Sequence, residues 1–299
     1  MDDAAVMQDV LARLSSLRQH QRDGRRSPHK PLLVLLALGR LARTGSSTLP
    51  WSEAETQLAA LISEFGPPSR TAAAQSAAYP FTRLRADGVW TLDRDVEMNN
   101  LRPLRAAEVS GRLESSLEDR LRGHLAVVPS VARALVDSHF PATVAADVLS
   151  AVGFDPDTSP AAEGAPRDRV RSSAWRLQVL EAWDRQCAFC GFDGQAGGMP
   201  VGLEAAHVRW WALDGPDDLD NGLALCLLHH KLFDRGMLGL LDEHTVVVSQ
   251  RFTARTASGR SVYDLHGHRL TPRPGTPLPA QSHVAWHRSQ VFQGDALAG

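Results

Sequence analysis

The 299-residue chain is poor in cysteine, almost without lysine, and has no long apolar stretch. Its three cysteines all fall between positions 187 and 226, which makes a disulfide framework improbable and favours metal binding. The longest apolar run, Leu32 to Leu38, is far shorter than the roughly 20 residues needed to cross a bilayer. The N-terminus, MDDAAVMQDV, is acidic and lacks the basic-then-apolar form of a secretion signal, so the expected location is the cytoplasm, with no membrane partner. A net charge of −2 excludes a uniformly basic nucleic-acid binder. Two lysines stand against 30 arginines, and the bases cluster: Arg18, Arg22, Arg25, Arg26, Lys30, Arg40 and Arg43 meet only one acid, Asp23. Such local asymmetry builds a phosphate-binding patch on a neutral protein, or simply a solvated face.

With 43% hydrophobic and 22% charged residues the composition is that of a globular protein, long enough for about two domains. Residues 4–18 carry helical spacing through Val6, Val10, Leu14 and Leu17. Pro31 opens an almost wholly apolar segment, PLLVLLALGRLAR, expected as a buried central helix. Ser52 and Glu55 form a capping-box pattern for a third helix ending near Phe65-Gly66. YPFTRLRADGVWTL reads as two short strands around Asp87-Gly88, a hairpin signal. Residues 106–122, 130–137 and 143–152 read as further helices. The aperiodic, Pro- and Gly-containing stretch 156–169 is the expected linker between domains at 1–155 and 170–299. In the second domain a helix (170–184) leads to CAFC, VGLEAAH reads as a strand, GLALCLLHHKLFD as a helix, and MLGLLDEHTVVVSQ as two strands. Near the end, HVAWHRSQVF is expected to pack back through Val284, Trp286 and Phe292.

Cys187-x2-Cys190 places two thiolates on a turn, and Cys226-x2-His229 places two more donors on one helical face. Together they make the ligand set of a structural Zn2+, whose binding free energy of roughly 10–16 kcal/mol can decide whether a small module folds.

CAFC, LEAAH and DNGLALCLLHHKLFD, in this order, resemble the HNH endonuclease family with its zinc-stabilised ββα-metal fold, over roughly residues 170–255. The resemblance implies phosphodiester hydrolysis with His207, Asn221 and His230 as the catalytic residues. His207 would be the general base, Asn221 would orient it or fix the loop, and His230 would bind a catalytic Mg2+ or Mn2+. Many members carry Asp directly before the first His, where this chain has Ala206. Glu204, on the same strand face by the period of two, and Asp234, one turn beyond His230, are the candidates to complete the metal shell.

RDGRRSPHKPLLVLLALGRL, EFGPP, YPFTRL and DGVW, in this order over residues 5–155, resemble the sulfur-binding domain of phosphorothioate-dependent restriction endonucleases. The resemblance implies that Arg22, His29 and Lys30 meet the DNA backbone charge. Tyr79 and Pro80 would form an apolar cup for the sulfur. Arg26, Arg83, Arg102 and Arg105 are further candidates for phosphate or base contacts.

The expected fold class is α+β: a mostly helical sulfur-binding domain with a small β-hairpin, followed by a zinc-stabilised HNH domain. The expected function is modification-dependent restriction of phosphorothioated double-stranded DNA by a one-metal mechanism, in a defence role. Two copies would be needed to cut both strands, which makes a homodimer the expectation. The rivals are an HNH nuclease reading a methylated base, with Trp51, Phe81 and Trp90 as the candidate pocket, or a plain sequence, and a non-cleaving zinc-stabilised DNA-binding protein.

Overall fold

The computed structural model describes residues 2–15, 17, 27–156 and 173–298. The chain divides into two compact units, Met1–Pro166 and Arg167–Gly299. The fold is mixed α+β, with helices predominating and only small antiparallel sheets. Among the described residues no helix is long and apolar enough to cross a membrane. The linker positions 157–169 lie outside the described residues.

Unit 1 runs α1 (Asp3–Ser15), α2 (His29–Thr44), β1 (Leu49–Pro50), α3 (Trp51–Phe65), α4 (Ala73–Arg83), β2 (Trp90–Leu92), α5 (Leu101–Ala106), β3 (Ser110–Leu113), α6 (Ser115–Arg122), α7 (Val128–Asp137) and α8 (Ala142–Ala151). The apolar segment from Pro31 to Leu38 is buried throughout, so α2 is the central helix, packed on α3, α4 and α7. Gly45 ends it in the left-handed conformation (φ 75°), and its amide caps the Leu41 carbonyl. At Gly39 a Cβ would lie 1.9 Å from the Val152 carbonyl oxygen, so only glycine admits the segment after α8 at that distance.

Three expectations for unit 1 are corrected. YPFTRL is not a strand: residues 73–83 form α4, with Pro80 inside it, followed by a 3-10 turn. Asp87-Gly88 is a turn, but Gly88 (φ 71°) closes that 3-10 turn rather than a hairpin. Trp90–Leu92 belongs instead to a three-stranded sheet in the order β1-β3-β2, pairing with β3 beyond α5 rather than with YPFTRL. The driving contact is Phe81, which is fully buried between Trp51 and Trp90 with edge-on ring centroids at 5.1 and 5.6 Å. Residues 106–122 are not one helix, because Ser110–Leu113 pairs as β3 between two others. The Ser52–Glu55 capping box is not made: Pro50 is the N-cap and Glu55 bonds Arg105.

Unit 2 runs α9 (Ser173–Ala182), β4 (Gln195–Ala196), β5 (Met199–Pro200), β6 (Leu203–His207), β7 (Gly222–Cys226), α10 (Leu227–Asp234), β8 (Leu238–Leu240), β9 (Val246–Val248), α11 (Ala257–Arg260) and α12 (Gln281–Gln290). GLALC, expected as the start of a helix, is the strand β7. A continuous apolar run suits either state, and antiparallel pairing with β6, Leu203 opposite Cys226 through His207 opposite Gly222, decides it. The pair is covered by α9 and followed by α10, giving a ββα unit. The C-terminal segment packs back as expected: Val284 and Phe292 are buried, and Trp286 meets Trp210 edge-on at 5.9 Å.

One buried acid organises unit 1. Glu118 is wholly buried and accepts from the Ser47 amide (3.1 Å), the Ser47 hydroxyl (2.8 Å), Arg112 and Arg122. Burial works to raise its carboxyl, but the Ser47 donors and Arg112 outweigh it and hold it below the usual carboxylate range. Removing the carboxylate strands the buried Ser47 donors. Glu118→Ala is therefore expected to destabilise unit 1 by about 3 kcal/mol in urea unfolding; a change near zero would show that the network contributes nothing. The depressed group adds stability above the unfolded carboxylate pKa and loses it as pH falls through the folded value, so the variant should also show a weaker acid dependence below pH ~4.5.

Candidate functional site

The four predicted zinc ligands converge. The donor atoms of Cys187, Cys190, Cys226 and His229 lie within 4.8 Å of one another. A tetrahedral ion with Zn–S bonds of about 2.3 Å needs donors about 3.8 Å apart, so the set fits zinc. His229 Nδ1 lies 3.5 Å from the Cys187 sulfur and 3.3 Å from that of Cys226. The first two ligands stand on a knuckle: the Gly191 amide bonds the Cys187 carbonyl, Gly191 takes φ 73°, and the Cys187 amide bonds the Phe192 carbonyl. The Ala188 amide ties this knuckle to Ala224 of β7. Cys226 is the last residue of β7 and the N-cap of α10, rather than a residue within a helix. The Cys226 thiol draws the Cys187 thiol below its usual range, while contact with Cys187 and burial push Cys226 up to about 11. Metal uptake must displace such protons.

His207, at the end of β6, stacks on the Trp175 indole (3.8 Å between centroids, 16° between planes). Its Nε2 meets Asp217 Oδ1 at 2.8 Å. Asn221 is fully buried and turns to the loop: Oδ1 accepts from the Arg209 amide, and Nδ2 donates to the carbonyls of Arg209 and Pro216. Asn221 thus takes the loop-fixing role of the two considered for it, and Asp217 holds His207. Neither Asp217 nor Trp175 is distinguishable in the sequence, since Asp217 is one of four aspartates between positions 214 and 220.

His230, on α10, lies between two carboxylates. Nδ1 meets Glu204 Oε2 at 2.7 Å and Nε2 meets Asp234 Oδ2 at 3.1 Å. Burial disfavours the imidazolium, but Asp234 and Glu204 outweigh it and raise the ring to about 9. Glu204 is in turn lowered, chiefly by His230. Ala206 faces the core, so the carboxylates come from Glu204 on the strand and Asp234 on the helix. Asp234 is anchored by the buried Trp210 indole N–H at 3.0 Å. Two carboxylates and an imidazole are a donor set that suits a divalent cation of the Mg2+ or Mn2+ kind.

In unit 1, the Ser27 hydroxyl and His29 Nδ1 are 2.8 Å apart, and Lys30 forms an ion pair with the buried Asp87. Both residues stand in the first turn of α2, which packs on α4. On α4, Tyr79 is half-buried, Pro80 is buried, and Arg83 stacks over the Tyr79 ring at 4.9 Å. Arg102 is exposed at the start of α5, and Arg105 is exposed and paired with Glu55. Arg22 and Arg26, like Arg18 and Arg25, lie outside the described residues.

The HNH endonuclease family matches residues 187–241, within the ββα unit that carries these donor sets. The ScoMcrA-like DNA sulfur-binding domain family matches residues 7–157, half of the chain, and the chain belongs to it. Similar solved structures include the sulfur-binding domain of ScoMcrA complexed with phosphorothioated DNA (23% identity, 48% of this chain and 94% of that one, TM-score 0.41). The corresponding domain of SprMcrA, also complexed with phosphorothioated DNA, gives 25%, 52%, 98% and 0.41. The modification-dependent restriction endonuclease TagI gives 26%, 41%, 39% and 0.33. No curated protein matches the chain.

The zinc reading has a direct consequence. The purified chain is expected to hold one tightly bound zinc through the knuckle, by elemental analysis. Cys226→Ser should lose it and abolish the thermal transition of unit 2 while that of unit 1 survives. A metal-free chain with both transitions intact would contradict a structural zinc.

Proposed function

We propose that the chain is a modification-dependent restriction endonuclease. A sulfur-binding domain, residues 1–155, selects phosphorothioated double-stranded DNA, and an HNH domain, residues 170–299, hydrolyses phosphodiester bonds nearby. The observation that carries the cleavage reading is the pairing of a carboxylate-held imidazole, His207–Asp217, with a carboxylate-flanked one, Glu204–His230–Asp234, in one ββα unit.

The mechanism follows from these contacts. Asp217 on Nε2 fixes the proton of His207 on that nitrogen, which makes Nδ1 the basic one. His207 then removes a proton from the attacking water, and Asp217 stabilises the imidazolium that results. Trp175 holds the ring plane by stacking, and Asn221 holds the loop that brings Asp217 into reach. His230, with Glu204 and Asp234, would hold the single catalytic Mg2+ or Mn2+. When bound there, the ion would supply positive charge against the charge that develops on the phosphate and the leaving 3′ oxygen. The Cys187, Cys190, Cys226 and His229 zinc is structural and takes no part in the chemistry.

For selection, a phosphorothioate sulfur is larger, more polarizable and less hydrated than the oxygen it replaces. The half-buried Tyr79 ring offers it an apolar face, with Pro80 beside it on α4 and buried in this structure, while Arg22, Arg26, His29, Lys30, Arg83, Arg102 and Arg105 are the candidates for the backbone charge and the neighbouring bases. The burial of Trp51, Phe81 and Trp90 in the core favours this reading over a flipped methylated base, because those rings are not available to line a base pocket. The carboxylates around His230 favour a cutting enzyme over a binder with a decayed site. A homodimer, with one cut per protomer, accounts for cleavage of both strands, and the role is defence against foreign modified DNA.

Cleavage of phosphorothioated plasmid DNA tests the catalytic assignment. His207→Ala is expected to lower the rate by about a thousandfold or more and to leave DNA binding intact. Asp217→Asn is expected to lower kcat by about ten- to a hundredfold at unchanged KM. Wild-type rates in the His207 variant would overturn the nuclease assignment, and wild-type rates in the Asp217 variant would remove the dyad.

A further inference from the structure

Arginines in unit 1 that are half-buried generally answer to a carboxylate: Arg40 to Glu53, Arg85 to Asp95, Arg112 to Glu118, and Arg133 to Asp137. Arg83 differs. Among the described residues its partners are neutral: Nε donates to Asn99 Oδ1 at 2.7 Å, and its guanidinium lies over the Tyr79 ring at 4.9 Å. It is therefore held at two points, with no carboxylate partner among the described residues.

The fixing partner is itself built in. Asn99 adopts φ 64°, a conformation that side-chain-bearing residues seldom take and that asparagine tolerates best. Three residues of α4 hold it there. Its amide donates to Thr82 Oγ1 (3.1 Å), its carbonyl accepts from Gln75 Nε2 (2.8 Å), and its side chain accepts from Arg83. Thr82 is fully buried and donates to the Ala78 carbonyl. One helix thus presents Tyr79 and Pro80, and grips through Gln75, Thr82 and Arg83 the loop residue that steers Arg83. A solvating arginine needs no such clamp.

We propose that Arg83 is the specificity-determining residue of the DNA-binding unit, reading a guanine next to the modified linkage, with Asn99 as its positioning residue. The inference rests on the reading of Tyr79 and Pro80 as the sulfur contact. With Nε on Asn99, the two terminal nitrogens form the edge that engages guanine O6 and N7, the pair of acceptors that a planar guanidinium matches. Stacking on Tyr79 places that edge within a nucleotide's reach of the sulfur. A simple phosphate contact would require charge but not this hold on Nε by Asn99.

The test is equilibrium binding of the full-length chain, without added divalent cation, to duplexes carrying one stereodefined phosphorothioate or none. The base pairs on either side of the linkage are varied in turn. The wild type is expected to favour guanine at one flanking position by about tenfold or more. Arg83→Ala and Arg83→Lys should both erase that preference, the lysine variant because it keeps the charge but loses the fork. Asn99→Gly, which tolerates the positive φ but removes the acceptor, should weaken the preference while leaving overall affinity closer to wild type. Uniform weakening by Arg83→Ala across all sequences, with a shallower salt dependence, would mark a phosphate contact and overturn the proposal. So would an unchanged base profile. A wild type indifferent to sulfur would instead remove the sulfur reading, and the series on unmodified duplexes would still decide the role of Arg83.

Discussion

The convergence of Cys187, Cys190, Cys226 and His229 is the constraint on which unit 2 depends. It joins a knuckle, the end of a strand and the first turn of a helix at one point. Cys226 ends β7 and caps α10, so an ion held by these four donors would fix the angle at which strand passes into helix. His230 directly follows the last ligand and inherits its placement. Glu204 reaches it from β6 because β6 is registered on β7, with Leu203 opposite Cys226. The same register sets His207 opposite Gly222, where the missing side chain leaves room for Val179 and Trp175 of α9. The stacked face of His207 and the flanked ring of His230 thus both trace to one small cluster of ligand residues and one strand pair.

Polar groups inside each unit are committed to structure in a way that leaves chemistry to a few. Asn221 bonds the backbone at three points and is closed to other partners of its amide. Asp234 accepts from Trp210 on one oxygen and meets His230 with the other, linking His230 to the aromatic contact with α12. In unit 1 the equivalent investment is Glu118, which ties β3 and α6 to Ser47, the segment between α2 and β1. The aromatic contact of Phe81 with Trp51 and Trp90 then fixes the orientation of α4, which carries Tyr79, Pro80 and Arg83.

What was legible in the sequence followed chemical rarity. Three cysteines, all at ligand spacing, pointed to the Cys3His cluster that the fold gathers, and the adjacent His229-His230 pair marked the histidine that lies between Glu204 and Asp234. The core of α2 was legible because an unbroken apolar run opened by a proline reads as a buried helix, and ten of its sixteen residues are buried. The hairpin was misread because Asp87-Gly88 signals a turn without saying which elements it joins; Phe81 packs between Trp90 and the more distant Trp51 from a helix rather than a strand. GLALC was misread because an unbroken apolar run carries no period, and only the partner strand settles it. Asp217 was hidden among neighbouring aspartates, and the Asn99 clamp on Arg83 depends on a backbone angle that no spacing announces.

The central claim is that one unit selects sulfur-bearing DNA and the other cuts it. The most direct measurement is the cleavage rate, with Mg2+ or Mn2+, on duplexes identical except for one stereodefined phosphorothioate. The account predicts that one sulfur stereoisomer is cut and that the other isomer and the oxygen duplex are spared. Equal rates on all three would contradict it, leaving a nuclease whose selectivity does not come from sulfur.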